Sequence, residues 1–156
     1  MSTMHSVLEH MTPEAREALL AHSRQVTFAA GTRIFKEHQR AEKFWIILSG
    51  TVELSTHIPC HKDAVIDTLG HGELLGWSWM VPPYGWRLGA TASHEVRALE
   101  FDAAAVRELC KEDSAVGRSV AVAVAAVIAD RLDSARTRLL DLFAPQGSGI
   151  PLAYAR

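Results

Sequence analysis

Between Val26 and Phe101 the chain is written in short β-branched and aromatic segments, each closed by Gly, Pro or polar turn residues. The segments are Val26–Phe28, Arg33–Phe35, Phe44–Leu48, Thr51–His57, Ala64–Leu69, Leu74–Leu75, Leu88–Thr91 and Val96–Phe101. Short strands spaced about ten residues apart predict a small barrel or jelly roll. Ser49-Gly50 lies between two strong strands and reads as a two-residue hairpin turn, with Gly50 supplying a positive φ.

Helical grammar frames this β-rich block. Thr12-Pro13-Glu14 is a cap, a first-turn proline and an acid at a helix start, which predicts a short helix over 12–23. Asp102 is expected to cap a helix running to Cys110, and Asp113 or Ser114 a longer one ending near Phe143. Within the longer one, Leu132, Ala135, Leu139 and Leu142 fall at heptad a/d spacing, and Ala125 and Ile128 carry the stripe backwards. The stripe predicts either a symmetric helix–helix seam in a homodimer or packing on the barrel. The Pro- and Gly-containing residues 144–156 are expected to form a disordered tail behind one domain of residues 1–143.

Bulk properties remove several classes of function. The 156 residues make one domain, and 48% hydrophobic with 22% charged residues is a globular balance. A formal net charge of −2 gives no field that would draw the chain onto nucleic acid or an acidic membrane. The first residues lack a basic region followed by an apolar one, so no signal peptide is expected. The longest apolar run, Val120–Ala129, is far short of the ~20 residues a membrane span needs. With two cysteines, Cys60 and Cys110, these features predict a soluble protein of a reducing cytoplasm.

A set of motifs then appears in a definite order. Gly31 precedes Arg33-Ile34-Phe35; Phe44–Leu54 reads strand, Ser-Gly, strand; Leu69-Gly70-His71-Gly72-Glu73-Leu74-Leu75-Gly76 follows; Val96–Asp102 leads into the capped helix and the long closing helix. Over roughly residues 12–143 this resembles the cyclic-nucleotide-binding domain of the Crp/Fnr-type regulators and of cyclic-nucleotide-regulated kinases and channels. The resemblance implies a β-roll, a double-stranded jelly roll mainly of β structure with flanking helices and dimer contacts through the long helix. It also implies a regulatory and not a catalytic role.

In that family a Gly-Glu pair sets a carboxylate on the ribose, and an Arg about ten residues later, followed by Ser/Thr-Ala, neutralises the cyclic phosphate. Guanidinium and backbone N–H groups suit an anion, and a carboxylate suits a hydroxyl. Here Gly72-Glu73 fills the first of the family's two Gly-acid pairs, Leu74-Leu75 the apolar couple, and Gly76-Trp77 the second pair. On this register Trp77 replaces the ribose carboxylate. Arg87 takes the phosphate position, but Leu88-Gly89 follows it in place of Ser/Thr-Ala. Counting backwards from Val96 puts Arg87 about three residues late. A shifted register, with Glu73 and Arg87 holding cyclic AMP or GMP, is the conventional alternative.

Four aromatics, Trp77, Trp79, Tyr84 and Trp86, crowd the segment before Arg87, and Pro82-Pro83 stiffens it. Such rings either stack on a flat ligand or plug the pocket as core. The candidate ligand residues are therefore Gly72, Glu73, Leu75, Gly76, Trp77, Ser78, Trp86, Arg87 and Leu88, with Arg87 an anion clamp or a cation over Trp77 or Trp86. The expected ligand is a small anionic or flat molecule, with no cofactor. A protein effector is the other candidate partner. The seam candidates are Ile128, Leu132, Ala135, Leu139 and Leu142.

Other chemistries find little support. His57-Ile58-Pro59-Cys60-His61 offers three ligand atoms in a tight loop where a closed zinc site wants four, so a polar hairpin loop is the simpler reading and no metal is expected. There is no Gly-x-Ser-x-Gly elbow, no Walker lysine, and Gly70-x-Gly72 opens no βαβ helix. Cys110 is expected in the core. Arg131, Arg136 and Arg138 are balanced along the helix by Asp130, Asp133 and Asp141, and no helix-turn-helix follows in this sequence, so direct DNA binding is not expected.

Overall fold

A computed structural model describes residues 6–143. Eight strands form two four-stranded antiparallel sheets: β1 (Ser23–Phe28), β8 (Val96–Asp102), β3 (Lys43–Ser49) and β6 (Leu74–Leu75) in one, in the order β1-β8-β3-β6. The other has the order β2-β7-β4-β5, with β2 (Arg33–Phe35), β7 (Gly89–Ala92), β4 (Val52–Thr56) and β5 (Ala64–Leu69). This is the expected β-roll with flanking helices. Trp45 on β3 and Phe35 on β2 meet between the sheets, ring centroids 5.9 Å apart.

The Ser49-Gly50 turn is not a hairpin. β3 pairs with β6 and β8, and β4 with β5 and β7, so the turn carries the chain from one sheet to the other. Gly50 does adopt φ 92°, and a Cβ there would lie 2.2 Å from the Glu95 carbonyl. A tight corner between sheets needs the same residue as a tight hairpin, which is why local signals cannot tell them apart. The true hairpin is β4–β5, Val52 opposite Leu69, closed by the His57–Asp63 loop.

Helix α1 spans Pro13–Leu20, its N-terminus capped where Thr12 Oγ1 accepts from the Ala15 N–H. It stops short of residue 23 because the chain turns into β1, Ser23 Oγ donating to the Leu20 carbonyl. Asp102 caps α2 (Ala103–Glu112) through the Ala105 N–H, and Asp113 accepts from the Val116 N–H at the start of α3 (Ser114–Phe143). Gly117 lets α3 cross close to α2, since a Cβ there would lie 2.5 Å from the Cys110 carbonyl. The first half of α3 buries Val116, Val120, Ala123 and Val124. The second half leaves its apolar stripe outside: Leu132, Leu139 and Leu142 are 58%, 53% and 77% exposed. The expected tail, 144–156, lies outside the described residues.

Candidate functional site

The turn before β6 is held by its own acid. Glu73 Oε2 accepts from the Gly70 N–H at 2.8 Å, and burial pushes the Glu73 pKa up although that bond and Arg131 pull it down. After β6 the chain passes Gly76 (φ 98°) into a single 3-10 turn, Ser78–Met80. Here the aromatics divide. Trp79 is fully buried, stacked on Phe44 at 4.1 Å, its Nε1 donating to the Gly76 carbonyl. Trp86 is buried on Phe35 at 3.8 Å. Its indole covers Gly76 so closely that a Cβ there would lie 2.6 Å from the ring. Tyr84 sits under Arg107, which also donates to the Trp79 carbonyl and so ties α2 to this segment. Trp77 stays half-buried beside the cavity, with the Arg87 guanidinium 4.8 Å above it and donating to Ser78 Oγ at 3.0 Å.

Two cavities meet at Trp77. The inner one, about 50 Å³, is lined by Gly76, Trp77, Ser78, Arg87 and Arg131 over Phe35 and Trp86. The outer one, about 290 Å³, runs between Ile66, Leu88 and the α3 residues Ile128, Leu132 and Ala135. Leu54, Trp77, Leu88 and Arg131 line both.

The arrangement of roll, glycine turn, short 3-10 segment and closing helix is matched by known proteins. The cyclic nucleotide-binding domain model matches residues 25–113. The chain belongs to the cyclic nucleotide-binding domain family. Within it, the chain is of the Crp/Fnr type. It is 25% identical over 136 residues to the CRP-like cAMP-activated global transcriptional regulator of Mycobacterium tuberculosis, covering 87% of this chain and 59% of that protein. The chain thus spans somewhat over half the length of that curated relative. A putative cyclic nucleotide-binding protein from Geobacter metallireducens superposes with TM-score 0.70 at 27% identity, over 81% of this chain and 91% of that one. A cyclic nucleotide-binding domain from Methylobacillus flagellatus shares the fold with TM-score 0.77 at 17% identity, over 92% and 83%.

Of the residues picked from sequence, Gly76, Trp77, Ser78, Trp86, Arg87 and Leu88 converge on the inner cavity of this family member. Glu73 does not: its cavity is a separate one, with Val7, His10 and Asp130. Gly72 is buried in the turn and Leu75 is fully buried in β6, paired opposite Trp45. Of the two roles open to the cluster's rings, Trp79 takes that of core, since Phe44 and the roll interior enclose it.

Arg131 is the functional candidate that sequence reading missed. Its Nη2 donates to the Leu74 carbonyl, and Glu73 and Asp67 on the roll act on its charge ahead of Asp130 on its own helix. Burial lowers its pKa, with Glu73 and Asp67 opposing. Arg138 likewise reaches Asp67 on β5 at 3.0 Å, so these two helix cations serve the roll, while Arg136 pairs with Asp133 on its own helix. The available signal was their seven-residue spacing beside the stripe, which puts both on one helix face.

The loop after β4 is polar and exposed: His57 Nδ1 lies 3.1 Å from Asp63 Oδ1, and Glu37 accepts from the His57 N–H. That N–H, with Thr56, holds the Glu37 carboxyl below its ordinary value. Among the described residues no three His, Cys, Asp or Glu stand where they would hold a metal, and no helix is long and apolar enough to cross a membrane. Cys110 is half-buried, and burial pushes its thiol pKa up.

Proposed function

We propose that this chain is a ligand-sensing regulatory module whose phosphate-binding cassette has diverged from cyclic nucleotides, and that it works by binding and not by catalysis. The observation that carries the reading is the Trp86 indole lying over Gly76, in the part of the cleft nearest the cassette. It leaves about 50 Å³, against the several hundred that enclose a drug-sized ligand. The rest of the cassette agrees. Trp77 has no carboxylate to offer a ribose, and Glu73 is spent on its own turn. Arg87 remains as an anion clamp, half committed to Ser78. The exposed stripe of Leu132, Ala135, Leu139 and Leu142, with Ile128, supports a homodimer through α3.

Losing a charge-assisted bond to the ribose costs about 1.5–3 kcal/mol, roughly 10- to 150-fold in affinity. Calorimetric titration with cyclic AMP and cyclic GMP at tens of micromolar is therefore expected to give little or no heat. A saturating micromolar isotherm would restore the conventional reading through Glu73 and Arg87. A second reading, a protein-interaction module with a self-filled pocket and a protein effector, draws on the burial of Trp79 and Trp86. It differs over Trp77, which it needs as core.

A further inference from the structure

The two cavities that share Trp77 differ in kind. The inner one has room for little more than a single small polar group, a water occupying ~30 Å³ of liquid volume. Two guanidinium side chains, Arg87 and Arg131, line it together with Ser78. The outer one is nearly six times as large, 290 against 50 Å³, and is walled by Leu54, Ile66, Leu88, Ile128 and Leu132. It extends along α3 from Ile128 past Arg131 to Arg138; the seven-residue step from one arginine to the other spans ~10 Å at 1.5 Å per residue. Charge leans positive. The ionic groups lining the two cavities are Arg87, Arg131 and Arg138 against Asp67, which is paired with Arg138, while Glu73 in the adjoining cavity acts on Arg131. Arg131 carries a fork of five N–H donors, and among the described residues its one side-chain hydrogen bond goes to the Leu74 carbonyl.

A sugar phosphate fits this cleft badly, because its hydroxyls would face aliphatic walls without partners. A molecule with one anionic end and an apolar body fits both parts. Resting on the reading of the chain as a ligand sensor, we infer that the cleft takes an apolar monocarboxylate, acyl or aryl, its head between Arg87 and Arg131 and its body on the roll side of the groove, along Trp77, Ile66 and Leu88. The guanidiniums provide charge-assisted bonds to the head, and the groove removes the body from water. Trp77, with Arg87 already across one face, is the partition between head and body.

Octanoate and 2-naphthoate, with their neutral amides as controls, test this by calorimetry on the full chain. The acids are expected to bind at least tenfold more tightly than the amides. Arg131→Gln and Arg87→Gln should each erase most of that preference, and Ile66→Asn should weaken octanoate more than butyrate. Arg87 is exposed, so its exchange stays informative even where loss of Arg131 harms folding. Equal binding of acid and amide, or no binding, overturns the inference while leaving the sensor reading intact. A micromolar isotherm for cyclic AMP overturns both. Binding seen only with a Leu139→Glu monomer would mean that a second copy fills the groove, and would also overturn it.

Discussion

The cassette segment and the second half of α3 are both rich in apolar side chains, and the fold treats them in opposite ways. Trp79 and Trp86 are 0% and 5% exposed, each stacked on a phenylalanine within about 4 Å. Leu139 and Leu142 are 53% and 77% exposed. Large rings beside a glycine turn have closed a space from within, whereas the last leucines of the heptad stripe, Leu139 and Leu142, lie open on the outside of the helix. Trp77 lies between these extremes, half covered, with the largely apolar groove on one side of it. Ring content alone would class it with Trp79; its position makes it a wall.

The largest effect that would break this contrast is in the closed region. Trp79→Ala removes the ring stacked on Phe44, itself stacked on Phe101, and should destabilise the fold by about 3–5 kcal/mol, read as a shift of the urea midpoint. A loss below about 1 kcal/mol would mean that the interior is loosely packed there. In the open region the expectation is reversed. Leu139→Glu should leave the urea midpoint nearly unchanged, as surface exchanges do, within about 0.5 kcal/mol. It should nevertheless turn dimers into monomers in sedimentation, because it sets like charges face to face across the seam. A wild type that sediments as a monomer would show that this stripe is not a seam.

Two glutamates carry the same contrast at smaller scale. Burial raises Glu73, and the hydrogen bond from Gly70 and the nearby charge of Arg131 do not fully offset it. For Glu100 burial also acts upward, but hydrogen bonds from Arg24, Trp45 and Lys43 outweigh it and the pKa falls below its ordinary value. The signs follow from linkage. A carboxyl raised in the folded state binds its proton more tightly there, so its contribution is lost as pH rises from the ordinary glutamate range through the folded value. A carboxyl lowered in the folded state contributes above the ordinary range, and that is lost as pH falls. Glu73→Gln should therefore flatten the high side of a stability profile measured over roughly pH 3 to 7, and Glu100→Gln the low side. If both exchanges act on the same side, the two environments are not opposed.

The roll was legible because period, turn residues and caps agreed: β2, β5 and β6 fall where the segments predicted, and Asp102 and Asp113 cap as expected. Sheet assignment was not legible. Gly50 demands a tight turn, but whether the next strand pairs back or crosses over is decided by β8 and β7, some 40 residues away. The cleft was half legible. Glycine, serine and arginine spacing brought Gly76, Ser78 and Arg87 together, while Arg131 comes from a distant helix and was masked by a neighbouring aspartate. Which tryptophan fills and which lines depends on backbone direction across a 3-10 turn, and composition does not carry that.

The account turns on Trp77 being a wall and Trp86 being filling, so the most direct test melts the two alanine variants side by side. Trp86→Ala should lose about 3–5 kcal/mol, roughly ten degrees in Tm for a domain this size. Trp77→Ala, removing a half-covered ring, should stay within about three degrees of wild type. A Trp77→Ala variant that falls as far as Trp86→Ala would mean that both rings plug the cleft, and the sensor would have no open site.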